Sequence, residues 1–253
     1  MTSSQNGSER LRSILVLLAT VATIIFNGLA STGRLNGIAT DAISNAYPTV
    51  LTPAGYTFSI WAAIYVGLVS FSIYQLLPSK IATFRPIRTL YIASCLLNCT
   101  WLWFWHQNQI AVCLAIIVML FAVLFWINLK SIKPASFGDA LFGKGVFGLY
   151  FGWVTAATLV NLVVFLVCSG IQISATSWNL IGSLLVVLSG VLAGLARFKL
   201  KNYMFPLAIA WAMTGIAVKQ SGNTAIVATA AFCVNFCLVL AVSFVMERKS
   251  RYA

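Results

Sequence analysis

An all-α, polytopic membrane fold is predicted by three features of the chain. Of its 253 residues 60% are hydrophobic, only 8% are charged, and mean hydropathy stands at +0.94. The four acids, Glu9, Asp41, Asp139 and Glu247, lie in tails or between apolar runs, and none falls inside one. A soluble chain carries roughly a quarter charged residues, so most of this sequence has no place in a soluble domain.

Eight apolar stretches approach the roughly 20 residues that carry an α-helix across the hydrocarbon core. The first, 13–31, opens behind Arg10 and Arg12, and the second, 57–77, closes at Pro78 and Lys80. The third, 89–106, lies between Arg88 and the polar run from Gln107 to Gln109, and the fourth, 110–129, ends at Lys130. The fifth, 146–168, runs from Lys144 to Ser169, and the sixth, 178–196, stops at Arg197. The seventh, 203–218, is short and contains Pro206; neighbouring helices can absorb a Pro in a membrane helix, and a re-entrant or tilted segment is the alternative. The eighth, 224–246, ends at Glu247. Residues 1–31 could also be read as a signal peptide, with its basic start and small residues Ala30 and Ser31, but the apolar run is long for one.

The loops between eight spans alternate sides, and the basic residues divide unevenly between them. Fourteen Lys and Arg fall on the side of the two termini, from Arg10 and Arg12 to Arg248, Lys249 and Arg251, and only Arg34 and Lys219 fall on the other. Cytoplasmic loops carry the excess of Lys and Arg, so both termini are expected in the cytoplasm, with the chain multi-pass in a cell membrane. Removing the seventh span would put the basic C-terminal tail on the wrong face.

The same distribution narrows the function. A formal charge of +12 is spread over short loops rather than gathered on one polar face, which argues against a nucleic-acid partner and for the lipid bilayer. Proton and cation relays across a bilayer rest on buried ionisable residues, and no predicted span contains one. The single His, His106, leaves neither a His-based metal site nor a Ser-His-Asp triad. No residue set offers general acid/base or nucleophilic machinery, so the chain is not expected to be an enzyme. All six Cys lie in predicted helices, where small buried hydrophobes are the plainer reading; Cys95/Cys99 and Cys233/Cys237 stand four residues apart, too far along one helix for a disulfide.

The longest loop, 32–56, lies on the non-cytoplasmic side and suits a lid over an outward-facing cavity. The loop 130–145, with Pro134, reads as a plain connector. Past residue 169 aromatics thin out and small residues dominate, as in the GxxxG pair Gly190 and Gly194, which permits close helix packing. This composition divides the chain into an aromatic five-helix core, 1–168, and a three-helix extension, 169–253.

Three stripes in the core could carry a site. Phe58, Trp61 and Tyr65 share a face of the second span, Asn98, Trp101 and Trp105 a face of the third, and Trp153, Ala157 and Asn161 a face of the fifth. Amides are costly in lipid unless bonded, so Asn98 and Asn161 are expected to face the helical interior, and indoles beside them would line a flat, apolar cavity with a few polar points. Trp103 and Trp105 fit an aromatic belt at the outer interface instead. From the residues alone, a bound small hydrophobic ligand and a helix-packing interface stand level.

At these stripes the chain resembles the tryptophan-rich sensory protein or translocator protein family, TspO/MBR, also called the peripheral-type benzodiazepine receptor family. Its third helix carries L-N-x-x-W, matched by Leu97, Asn98 and Trp101, and its fifth W-V-x-F-A-x-x-L-N, matched by Trp153, Val154, Ala157 and Asn161. Its second-helix pattern is recognisable in Pro53, Phe58, Trp61, Ile64 and Tyr65, with Ala54 and Tyr56 replacing a Pro and a Trp.

The resemblance covers roughly 13–168 and implies a five-helix core, a possible homodimer, and a pocket under the first loop for a tetrapyrrole such as protoporphyrin or haem. By motif position Trp61, Trp153 and Ala157 would line that pocket, with Asn98, Trp101 and Asn161 shaping it and Tyr65 a further candidate. No resident cofactor is required, a tetrapyrrole being the ligand. The role implied is sensing, trafficking or stress response; tetrapyrrole photo-oxidation at Trp is the one catalytic possibility the family offers. A secondary transporter of a small uncharged or amphipathic solute is the alternative. The family's sterol sequence has no counterpart at Leu166-Val167-Cys168.

Overall fold

The structure, a computed structural model, describes residues 3–131 and 133–250, with side chains for 7–131 and 133–243. The basic tail residues Arg248, Lys249 and Arg251 therefore lie outside the described side chains. Among the described residues there is no strand, and the α-helices run in the order α1 (Ser3–Ser31), α2 (Thr40–Ala46), α3 (Ile60–Tyr74), α4 (Ile81–Phe84), α5 (Arg88–His106), α6 (Ile110–Lys130), α7 (Val146–Cys168), α8 (Ala175–Phe198), α9 (Met204–Lys219) and α10 (Thr224–Ser250). The eight longest fall on the eight predicted spans. Six helical stretches are long and apolar enough to cross a membrane; α9, at 16 residues, is apolar but shorter.

Side-chain burial places these helices in lipid. On α1 the polar residues Ser13, Thr20, Thr23 and Asn27 are buried, while Leu11, Leu18 and Ile25 are each more than half exposed. α8 repeats the arrangement with Leu180, Leu184 and Val191 outward and Ser189 inward. A soluble helix does the reverse. Apolar side chains facing outward are stable against acyl chains, and hydroxyls facing inward find partners, as lipid requires.

The chain forms two compact units, one of Met1–Thr40 with Trp61–Phe147 and one of Asp41–Ile60 with Gly148–Ala253. The compositional boundary after Cys168 lies within the second. In the first unit α5 packs on α1 and α6. Its centre is aromatic: Phe71 on α3 meets Phe84, Tyr91 and Phe147 at ring separations of 5.3, 5.2 and 4.8 Å. Edge-on contacts of this kind stabilise by about 0.5–1.5 kcal/mol each beyond area burial. Gly67 lets α3 lie against Val146, whose side chain stands 3.0 Å from where a Cβ would be.

In the second unit α10 packs on both α8 and α9. Small residues set the spacing. A Cβ at Gly152 of α7 would stand 2.6 Å from the Phe205 carbonyl oxygen of α9, and one at Gly190 of α8 3.3 Å from Cys233 Sγ of α10. Pro206 leaves α9 intact because it sits in the first turn, where a backbone N–H has no intrahelical partner to lose. The two N–H groups just before it, of Met204 and Phe205, are capped by Asn202 Oδ1 at 3.0 and 3.3 Å.

Candidate functional site

The sequence-predicted site residues divide between the units: Trp61, Tyr65, Asn98 and Trp101 belong to the first, Trp153, Ala157 and Asn161 to the second. In the first, one turn of α3 brings Trp61 and Tyr65 into a stack, with ring centroids 5.4 Å apart and planes 17° from parallel. The Tyr65 hydroxyl is buried and has no hydrogen-bond partner among the described residues. Asn98 is buried on α5, where its Oδ1 accepts from Asn27 Nδ2 of α1 at 2.8 Å, and Asn27 Nδ2 also donates to the Thr23 carbonyl. The amide expected to face inward does so because α1 supplies its partner.

Trp101 stacks on Trp105 at 5.5 Å. Trp105 corrects an expectation. It is 3% exposed and its indole N–H donates to the Thr40 carbonyl at 3.3 Å, so it is a clamp on the long loop and only Trp103, exposed, is left for an aromatic belt. His106 completes the clamp through Thr40 Oγ1 at 3.2 Å and Asn36 Oδ1 at 2.8 Å, while its carbonyl accepts from Asn36 Nδ2.

In the second unit Trp153 is buried and packs edge-on against Phe58, at 5.9 Å and 79°. Aromatics of two separate stripes thus meet there. Asn161 donates to the Ala157 carbonyl one turn back at 2.9 Å, which keeps both residues on one face of α7. Trp211 of α9 holds the middle of a 3-10 turn, Gly55–Ser59, by donating to the Thr57 carbonyl at 2.8 Å, and Gly215 makes room for the Thr57 side chain.

A groove of about 470 Å³ opens in this unit between loop residues 48–52, the last turns of α7, Trp178 at the start of α8, and Lys219 and Gln220 at the end of α9. Gln220 Nε2 donates to the Thr49 and Thr52 carbonyls at 2.9 and 3.3 Å, so the loop wall is fixed to α9. Pro48, Thr49, Val50 and Thr52 of the long loop thus form one wall of the groove.

Ionisable groups are where sequence reasoning fell short. Glu9, read as a tail residue, lies on α1, is buried, and accepts from Arg88 Nη1 of α5 at 3.0 Å and from Arg12 Nη1 at 3.2 Å, with Arg85 Nε in a further ion pair at 3.3 Å. Arg88 Nε donates to Gln75 Oε1 at 2.8 Å, and Gln75 Nε2 donates to the Ser13 carbonyl. The 130–145 loop is more than a connector. It winds into a π-helical turn, Asp139–Gly145, whose Asp139 is buried and pairs with Lys80 Nζ at 2.8 Å and Tyr74 OH at 3.0 Å. The Asp139 carboxylate holds the Lys80 ammonium above its ordinary pKa. Cys168, expected to be buried, is exposed at the end of α7; the other five Cys are buried or half-buried, and all six are free thiols. Spacing gives no hint of these pairs, since Glu9 and Arg88 are 79 residues apart.

Among the described residues no group of three His, Cys, Asp or Glu could hold a metal ion. Outward apolar helix faces, inward hydroxyls and amides, and buried indoles define a polytopic all-helical membrane protein. The chain belongs to the TSPO-like protein family, whose sequence model matches residues 13–244. The match runs past Cys168, where the motif resemblance stops, through α8 and α9 and most of α10. No curated protein and no solved structure matches the chain.

Proposed function

We propose that this TSPO-like membrane protein binds a hydrophobic planar ligand, a tetrapyrrole such as protoporphyrin or haem, for sensing, trafficking or stress response. The observation that carries this reading is the Trp61–Tyr65 stack with its buried, unpartnered phenol. Buried polar groups are nearly always bonded, and a hydroxyl left over beside a flat indole suits a planar molecule with a polar edge. Trp153, seated on Phe58, and the Ala157–Asn161 face supply the same chemistry in the second unit. All seven residues lie within 1–168, the five-helix part. The tetrapyrrole carboxylates would reach Arg34, which is exposed. Both termini would lie in the cytoplasm and the chain would sit in a cell membrane, on the Lys/Arg distribution. The role is binding without catalysis or a resident cofactor, and a homodimer is compatible with it.

The test is a tryptophan-quenching titration of the purified protein with protoporphyrin and haem. Saturable binding weakened about five- to tenfold by Tyr65→Phe, a loss typical of one hydrogen bond, and weakened also by Trp153→Phe and Asn161→Ala, supports the reading. Trp103→Phe, at an exposed indole outside the site, is the control and should bind as the parent does. A folded protein that fails to bind would overturn it and bring the transporter alternative forward.

A further inference from the structure

We propose that the groove of the second unit is a separate binding site for a compact, singly charged organic anion with an apolar or aromatic body. It does not depend on the tetrapyrrole reading, because none of the residues used there lines it.

The lining sets the ligand's charge. Lys219 is the only ionisable side chain in the groove, and no described carboxylate pairs with it. A monoanion matches that single ammonium; a dianion would leave one charge uncompensated, and a cation would be repelled. The indole of Trp178 supplies a second donor, its N–H being without a hydrogen-bond partner among the described residues. Val163 and Val167 of α7 give an apolar floor for the ligand's body. A carboxylate accepting from Lys219 Nζ, its body laid against the Trp178 ring and the valines, pairs the ammonium and covers the apolar floor.

The site is built in advance of the ligand. Both hydrogens of Gln220 Nε2 are committed to the loop carbonyls of Thr49 and Thr52. The loop is locked on itself, since Thr52 Oγ1 accepts from the Thr49 N–H at 2.7 Å and donates to the Tyr47 carbonyl. Gly182 of α8 allows Val50 to approach, with Val50 Cγ2 2.8 Å from where a Cβ would stand. Its volume, about 470 Å³, lies in the range of small-molecule sites, roughly 300–1,000 Å³.

The experiment is isothermal titration calorimetry of 1-naphthaleneacetate against the full chain in phosphatidylcholine nanodiscs, with 1-naphthaleneethanol as the neutral counterpart. Saturable binding of the carboxylate is expected, weakened about tenfold or more by Lys219→Gln, the value of one charge-assisted hydrogen bond. Trp178→Leu should weaken both probes, and Arg34→Gln and Trp61→Phe should leave both unchanged. Since Lys219 is exposed, its loss should not disturb the circular dichroism spectrum. Equal affinity for the alcohol, or no effect of Lys219→Gln, overturns the proposal. So does loss of carboxylate binding when phosphatidylglycerol replaces phosphatidylcholine, which would assign the groove to a lipid headgroup. Loss of protoporphyrin binding in Trp61→Phe, with naphthaleneacetate unaffected, would separate the two sites.

Discussion

Arg88 and Glu9 form an ion pair at 3.0 Å between the starts of α5 and α1, with 0% and 4% of their side chains exposed. An ion pair this deep stabilises little against an apolar alternative, but removing one partner strands a buried charge, typically at about 3–5 kcal/mol. Arg88→Ala should therefore destabilise toward the lower end of that range, because Arg12 and Arg85 still neutralise Glu9. Glu9→Gln should cost more, since it leaves the inaccessible Arg88 without a counter-charge. Unfolding in mixed detergent micelles checks both, and a double variant Glu9→Gln/Arg88→Met should recover part of the loss.

The Asn27–Asn98 hydrogen bond joins the same two helices further along the span. Interhelical polar contacts in membranes average about 0.6 kcal/mol and reach about 1.7. A double-mutant cycle with Asn27→Leu and Asn98→Leu should give a coupling energy in that range. A coupling indistinguishable from zero would mean that Asn98 matters to a ligand and not to packing.

Two glycines of the second unit should respond with opposite sign to alanine. At Gly152 a methyl would collide with the Phe205 carbonyl, a backbone atom that cannot rotate away, so Gly152→Ala should destabilise by about 1–3 kcal/mol. At Gly194 the nearest atom, on Phe236, is 3.8 Å away, and Gly194→Ala should be neutral or stabilising by about 0.5–1 kcal/mol through helix propensity. Comparing the two unfolding midpoints isolates close approach from intrinsic propensity.

What the chain determines by itself follows from composition and period. Eight apolar runs locate eight helices, within a few residues except at the start of α1, which begins ten residues before its predicted span, and the stripes on α3, α5 and α7 single out Trp61, Asn98 and Trp153, because helical spacing is local and survives in one dimension. Even Pro206 is legible once its place in the first turn is known. Tertiary structure alone decides partners. Trp105 reads as a belt residue until Thr40, 65 positions earlier, accepts its N–H. Glu9 reads as a tail charge until α1 extends past it and three guanidinium groups surround it. Lys219 reads as one of two stray cations until the ends of α7 and α9, the start of α8 and a loop turn enclose a groove beside it. Burial of charge and enclosure of space are properties of several segments at once. Their energetics depend on distances that no single stretch of sequence contains.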